Sequence, residues 1–163
     1  MGSVVSQNEL ILRRREWKRD GRKVVCASGC FDLLHPGHIR LLEQARSLGD
    51  VLVVAVESDR SAGRKAAAAN GVARPITPAA ERAEILAALA AVDYVAEFDD
   101  LSPGGLLARL LPDVFVVGAP GGDEAARREY EALEAKGCKV VRIPLEPGYS
   151  TALLIERTQQ LQA

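Results

Sequence analysis

The sequence predicts an α/β fold, a doubly wound parallel five-stranded sheet with helices on both faces, and three observations carry that prediction. Short apolar runs alternate with longer stretches of helical periodicity, the order expected of parallel strands joined by crossover helices. The apolar runs are near-continuous in Val, Leu and Ala, which fits strands buried on both faces. Finally, the first strong run ends in a Gly-containing turn that opens directly into an amphipathic stretch. In such Rossmann-like folds, ligands lie beyond the carboxyl ends of the strands, where the topology changes direction.

Residues 1–21 read as an N-terminal helical extension ending near Gly21, ahead of a single domain over residues 22–163. Leu10 and Trp17 mark an apolar side, while Arg13, Arg14, Arg15, Lys18 and Arg19 form a basic one. A solvated face on a packed helix is the commoner outcome for such a cluster than a nucleic-acid or membrane contact. The helix is also a candidate homodimer contact. The strands are expected over Lys23 to Ser28, Val51 to Glu57, Tyr94 to Glu97, Val114 to Val117 and Lys139 to Ile143. Helices are expected over Pro36 to Leu48, Pro78 to Ala91, Pro103 to Leu111, Asp123 to Ala135 and Thr151 to Gln160. Pro36 suits a first helical position, where its missing N–H costs nothing, and Thr77 before Pro78 is a sound helix start.

At 163 residues, 48% apolar and 26% charged, the chain can bury one sizeable core. A formal net charge of −1 implies no general nucleic-acid surface, so any attraction for phosphate has to be local. No apolar run is long enough to span a membrane, and the N-terminus lacks a signal-peptide core. Three cysteines without motif spacing fit a reducing cytoplasm, with Cys26 and Cys138 as plain core residues.

The most informative run is Gly29-Cys30-Phe31-Asp32-Leu33-Leu34-His35-Pro36-Gly37-His38. A strand feeding a tight turn into a helix N-terminus makes an anion site, and Gly37 leaves room for a phosphate beside the backbone. His35 and His38, three apart, share a helix face. Two imidazoles beside free N–H groups at the positive end of a helix suit a polyphosphate whose charge is being redistributed, which is a nucleotidyl-transfer site. The alternative, a zinc site, lacks ligands: these are the only two histidines, and Cys26, Cys30 and Cys138 show no Cys-x-x-Cys spacing. A nicotinamide oxidoreductase is disfavoured because the first turn lacks Gly-x-Gly-x-x-Gly.

On Gly29-Cys30-Phe31-Asp32 and His35-Pro36-Gly37-His38 the chain resembles the cytidylyltransferase-like nucleotidyltransferases, whose signature is His-x-Gly-His. The wording is most similar to the D-glycero-β-D-manno-heptose 1-phosphate adenylyltransferase domain, then to glycerol-3-phosphate cytidylyltransferase. Further ordered matches are Leu48-Gly49-Asp50, Val54-Ala55-Val56-Glu57-Ser58-Asp59, Arg74-Pro75-Ile76, Glu81-Arg82, Val92-Asp93-Tyr94-Val95 and Gly148-Tyr149-Ser150-Thr151. The resemblance implies that Gly29, Cys30, Phe31, His35 and His38 bind the nucleotide, with His35 and His38 catalytic. It also implies that Ser150 and Thr151, with Gly148 and Tyr149, form a triphosphate-binding helix start, for which an ordinary cap is the alternative. Arg82 matches a family arginine, and the resemblance implies it as a third catalytic residue beside His35 and His38. It stands in the first turns of a helix, where the dipole disfavours cations, so phosphate contact competes with a surface pair to Glu81 or Glu84.

Gly118, ending the fourth expected strand, lets a nucleotide base approach the backbone or simply marks a strand-end turn. Lys65 and Arg74, expected on a loop, either hold the acceptor phosphate or are solvated charges. Asp32 either binds a sugar hydroxyl or ties down the turn. Heptose-type relatives carry Lys-Gly-Gly-Asp-Tyr after the fourth strand, where this chain has Val117-Gly118-Ala119-Pro120-Gly121-Gly122-Asp123-Glu124, so a charged substrate contact is missing. Mg²⁺ is implied with the triphosphate, and no dedicated carboxylate cage for it is visible. The expected activity is transfer of a nucleoside monophosphate from ATP to a phosphorylated sugar, with pyrophosphate released. CTP with a polyol phosphate such as glycerol 3-phosphate is the second reading, and a non-catalytic nucleotide-binding module is the alternative of another class.

Overall fold

The computed structural model describes residues 1–67, 74–119 and 123–161. Its strands are β1 (Ser3–Val4), β2 (Val24–Gly29), β3 (Val51–Glu57), β4 (Tyr94–Phe98), β5 (Val114–Ala119) and β6 (Lys139–Pro144). Its helices are α1 (Gln7–Arg19), α2 (Pro36–Arg46), α3 (Asp59–Ala67), α4 (Ala79–Ala88), α5 (Gly104–Leu110), α6 (Glu124–Glu134) and α7 (Thr151–Gln160). All strand pairs are parallel, in the order β1-β4-β3-β2-β5-β6. The chain builds outward from β2 to β3 and β4, then crosses back to lay β5 against the other side of β2. The change of direction therefore falls between β2 and β5.

Period-two alternation divides the core. Val24 and Cys26 face one layer, where α1, α5 and α6 supply Leu10, Trp17, Leu107 and Leu133. Val25 and Ala27 face the other, where α2 and α4 supply Leu42, Ala45 and Leu86. Every residue of β3 is buried, as an apolar run covered on both faces requires. The amino ends of the strands are fastened by carboxylates: Val24 N–H donates to Asp113 Oδ2 at 2.7 Å and Leu52 N–H to Asp93 Oδ2 at 2.8 Å. The carboxyl ends are left for the loops that build the site.

Two expectations are corrected. The sheet has six strands rather than five, because Ser3 and Val4 pair with Tyr94 and Val95. Both residues are exposed and the strand is only 2 residues long, so it leaves no periodicity to read. The segment after β3, expected as a loop carrying Lys65, begins as helix α3 despite Gly63 and Ser61. Tertiary contacts override propensity there. Ser58 Oγ accepts from Ser61 N–H at 3.0 Å, and the buried Ser61 hydroxyl donates to Glu57 and to the Asp100 carbonyl. Residues 68–73 lie outside the described residues.

Helix α1 is part of the core: Leu10 is fully buried, and Trp17 packs against Tyr94 in a tilted pair with ring centroids 5.0 Å apart. Its basic side is partly spoken for within the chain. Arg13 pairs with Glu9, and Arg14 pairs with Asp113 at 3.1 Å. Leu10→Ala should therefore cost about 2–5 kcal/mol, as for other buried leucines. A urea unfolding midpoint unchanged by that substitution would show that α1 is dispensable to the core.

Candidate functional site

The site begins where β2 leaves the sheet. Phe31 adopts φ +50°, a left-handed conformation rare for an aromatic residue, and it turns the chain from β2 toward α2. A Cβ on Gly29 would lie 3.1 Å from the Phe31 ring, so the ring packs closely over the backbone there. His35 is the N-cap of α2 and Pro36 opens the helix. The His35 Nδ1 accepts from the His38 N–H over 3.3 Å, which leaves Nε2 as the protonated, donating nitrogen of the neutral ring.

The two imidazoles stack, with centroids 3.7 Å apart and planes 18° apart. Burial pushes the pKa of both down, and that of His38 reaches about 4, with His35 adding repulsion. Both rings are thus neutral at pH 7. The His38 Nδ1 is buried and has no hydrogen-bond partner among the described residues. An arriving polyphosphate would favour the protonated rings and reverse both shifts.

A second helix N-terminus converges on the same place. Gly148 at φ +83° turns the chain into α7, whose N-cap Ser150 accepts from Leu153 N–H at 3.1 Å. The preceding loop is clamped onto α2: Arg40 pairs with Glu146 and lies 5.4 Å from the Tyr149 ring centroid. Tyr149 in turn lies nearly parallel to His35 at 6.4 Å. A Cβ on Gly37 would meet His35 at 3.0 Å and Tyr149 at 3.2 Å, so a larger residue there would have to push these rings aside. Sequence reasoning missed Arg40, because its partners lie far along the chain.

Between the two helix ends, at the β2–β5 crevice, is a cavity of about 350 Å³ whose walls include Gly29, His38, Arg74, Gly118 and Thr151. Gly118 stands on the wall with Leu145 packed over it, where a Cβ would be 2.8 Å from Leu145 Cδ2. Cys30 also lines this cavity, and burial pushes its thiol pKa up, so it is a protonated wall rather than a nucleophile.

Asp32 is buried and ties down the chain. Its Oδ1 accepts from Ile76 N–H at 2.8 Å and Thr77 N–H at 2.9 Å, and its Oδ2 faces Arg74 Nε at 3.3 Å. This arrangement is the turn-fastening alternative, and it leaves the guanidinium of Arg74 on the cavity wall. The Lys65 side chain lies outside the described part of the structure.

Arg82 departs from the expected phosphate contact. It is 1% exposed, and its guanidinium donates to the carbonyls of Thr77, Cys30 and Glu57 and to Asp59 Oδ1 at 2.5–2.8 Å. Neither Glu81 nor Glu84 is its partner in these bonds; Asp59 is. An arginine spent on four acceptors positions the loops around the site rather than reaching substrate.

The cytidylyltransferase-like family profile matches residues 26–157, which include both helix ends and the histidine pair. The chain belongs to the cytidylyltransferase-like family. Among curated relatives, bifunctional protein HldE of Koribacter versatilis is 46% identical over 94% of this chain, and that of Rhodopseudomonas palustris strain HaA2 is 42% identical over 96%. The chain spans about a third of their length, 31% in each case. Among solved structures, the lipopolysaccharide core biosynthesis protein from Thermoplasma volcanium is 28% identical, with a TM-score of 0.60 over 77% of this chain and 98% of that one. Pantoate-beta-alanine ligase from Francisella tularensis, 13% identical, covers this whole chain and 79% of its own with a TM-score of 0.59, and shares the fold alone.

Within this cytidylyltransferase-like site two outcomes are expected. The His38 ring should titrate by NMR with a midpoint near 4, below the ordinary 6.5. The unfolded chain then holds the extra proton between those values. The neutral ring's contribution to stability is complete above about pH 6.5 and is lost as pH falls toward 4. A midpoint at 6.5 would mean a solvated ring. Arg82→Ala should lower the unfolding free energy by roughly 3–5 kcal/mol, because it strands buried acceptors and Asp59. Arg82→Lys should recover only part of this, since an ammonium cannot reproduce the planar fork. Weakened ATP binding with an unchanged unfolding midpoint would instead indicate a direct phosphate contact.

Proposed function

We propose that the chain is an adenylyltransferase that transfers AMP from ATP to a sugar phosphate of the heptose 1-phosphate type and releases pyrophosphate. The observation that carries this reading is the convergence of two helix N-termini on one cavity at the β2–β5 crevice, with His38 on its wall and His35 stacked behind it, both neutral. The cytidylyltransferase-like match and the HldE relatives support it, and support ATP with a sugar phosphate over CTP with a polyol phosphate.

An acceptor phosphate oxygen, already anionic at neutral pH, attacks the α-phosphorus of ATP. The P–O bond to the β-phosphate breaks as the new one forms, and pyrophosphate leaves with the electron pair. No side-chain nucleophile is needed, so the protein positions the groups and stabilises charge. His35 Nε2–H and the His38 ring donate to phosphate oxygens as negative charge moves onto the leaving group. The start of α7, with Ser150 and Thr151, holds the triphosphate, and Gly148 and Tyr149 shape its entry. Gly29, Cys30, Phe31 and Gly118 form the wall against the nucleoside. Arg74, aimed by Asp32, meets the acceptor phosphate, with Lys65 as a second cation. Arg82 acts as a positioning residue.

The cradle offers N–H and hydroxyl donors, which suit phosphate oxygens, and no group of three or more His, Cys, Asp or Glu among the described residues could hold a metal ion. We therefore assign Mg²⁺ to the incoming nucleotide, where it neutralises phosphate charge. No helix among the described residues is long and apolar enough to cross a membrane. A cytoplasmic setting, with ATP at hand, fits the reading.

Pyrophosphate release from MgATP and MgCTP, with heptose 1-phosphate and glycerol 3-phosphate as acceptors, tests this proposal. Turnover is expected with ATP and the heptose phosphate, and His38→Ala should lower kcat by about 10²- to 10³-fold, the usual effect of losing one such donor. ATP binding without pyrophosphate release in any combination would favour the non-catalytic module.

A further inference from the structure

We propose that Arg40, outside the phosphate cradle, is a positioning residue for the triphosphate: it sets where the helix start at Ser150 stands relative to the one at His35, and so how well the two grip one nucleotide. This inference rests on the reading above in which both helix starts hold ATP. Arg40 is not among the described residues that line the cradle cavity, so it acts through its partners. It stands one turn of α2 beyond Pro36, on the helix whose first residues carry the histidine pair.

The two helix starts are anchored unequally. Helix α2 sends Leu41, Leu42 and Ala45 into the core, whereas α7 has no buried residue. The core therefore fixes the first start and leaves the second to contacts nearer the surface. Among the described residues, Arg40 with Glu146 is the only ion pair that ties residues 146–161 to the rest of the chain. The side-chain hydrogen bonds of that segment, Ser150 with Leu153 and Thr158 with Leu154, stay within it. Glu146 stands two residues before Gly148, whose φ of +83° makes the turn into α7, so the pair grips the chain at the entrance to the turn.

A second contact of the same side chain grips the exit. The Arg40 guanidinium lies 5.4 Å from the ring centroid of Tyr149, the residue after Gly148. Tyr149 lies nearly parallel to His35 at 6.4 Å, and His35 stacks on His38 at 3.7 Å. One cation and three rings thus run in sequence from the surface to the cradle wall, where His38 stands. A guanidinium suits this double duty, because its edge donates to a carboxylate while its plane faces an aromatic ring. The ion pair is half-exposed, and exposed pairs add little to overall stability. Its effect falls on preorganisation instead: ATP binds more weakly in proportion as fewer molecules already have the second helix start in place.

Three variants test the assignment, with MgATP binding read by calorimetry and stability by urea unfolding. Arg40→Ala is expected to raise the MgATP Kd about five- to tenfold while the unfolding midpoint stays unchanged, and the KM for heptose 1-phosphate should stay within about a factor of two. Arg40→Glu sets like charge against Glu146 and should weaken MgATP further. Combining Arg40→Glu with Glu146→Arg restores the pair in reverse and should recover part of that loss, a coupling that two independent residues would not show. An unchanged MgATP Kd in Arg40→Ala would overturn the assignment, and a lowered unfolding midpoint would overturn it by making the pair part of the structural frame. A double variant that binds no better than Arg40→Glu would overturn it by showing that the arginine meets the nucleotide itself. Each of these results leaves the transferase reading intact. Wild-type protein that fails to bind MgATP would overturn that reading, and the assignment of Arg40 with it.

Discussion

The guanidinium of Arg82 holds the carboxyl edge of this sheet together. Burying a charge is costly unless acceptors surround it, and here they come from four directions: the turn after β2, the end of β3, the start of α3 and Thr77 in the segment before α4. These segments are the ones whose positions the site requires. Cys30 precedes the left-handed Phe31, which aims the chain at α2. Thr77 sits beside the segment that Asp32 fastens through backbone N–H groups. A planar, five-donor group can serve several carbonyls at once, which no other side chain does.

From that frame the chemistry of the cradle follows. The helix starts of α2 and α7 present oriented N–H groups, and the stacking of His35 on His38 excludes water from one face of each ring. A desolvated pair of imidazoles stays neutral, and phosphate charge beside it favours the protonated form. Arg40 holds the two helix ends together through Glu146 and Tyr149, with glycine at position 37 leaving the space. The site thus presents donors and protonatable rings that suit a polyanion.

The sequence by itself determined the α/β class, the five long strands, the helices that follow them and the loop that carries the two histidines. Each of these is encoded locally, in apolar runs, in helix-start residues such as Ser150 and Pro36, and in a motif whose members are close in the chain. What it could not determine depends on contacts between distant segments. The edge strand Ser3–Val4 is defined by its partner β4, not by its own pattern, and α3 forms because Ser58 and Ser61 find buried partners. Arg82 reads in the sequence as a helix-start cation suited to phosphate, yet only the packing of β2, β3 and α3 around it supplies the acceptors that bury it. Charge on one residue is visible in a sequence. Whether that charge faces solvent, substrate or four backbone and side-chain oxygens is decided where segments far apart in the chain meet.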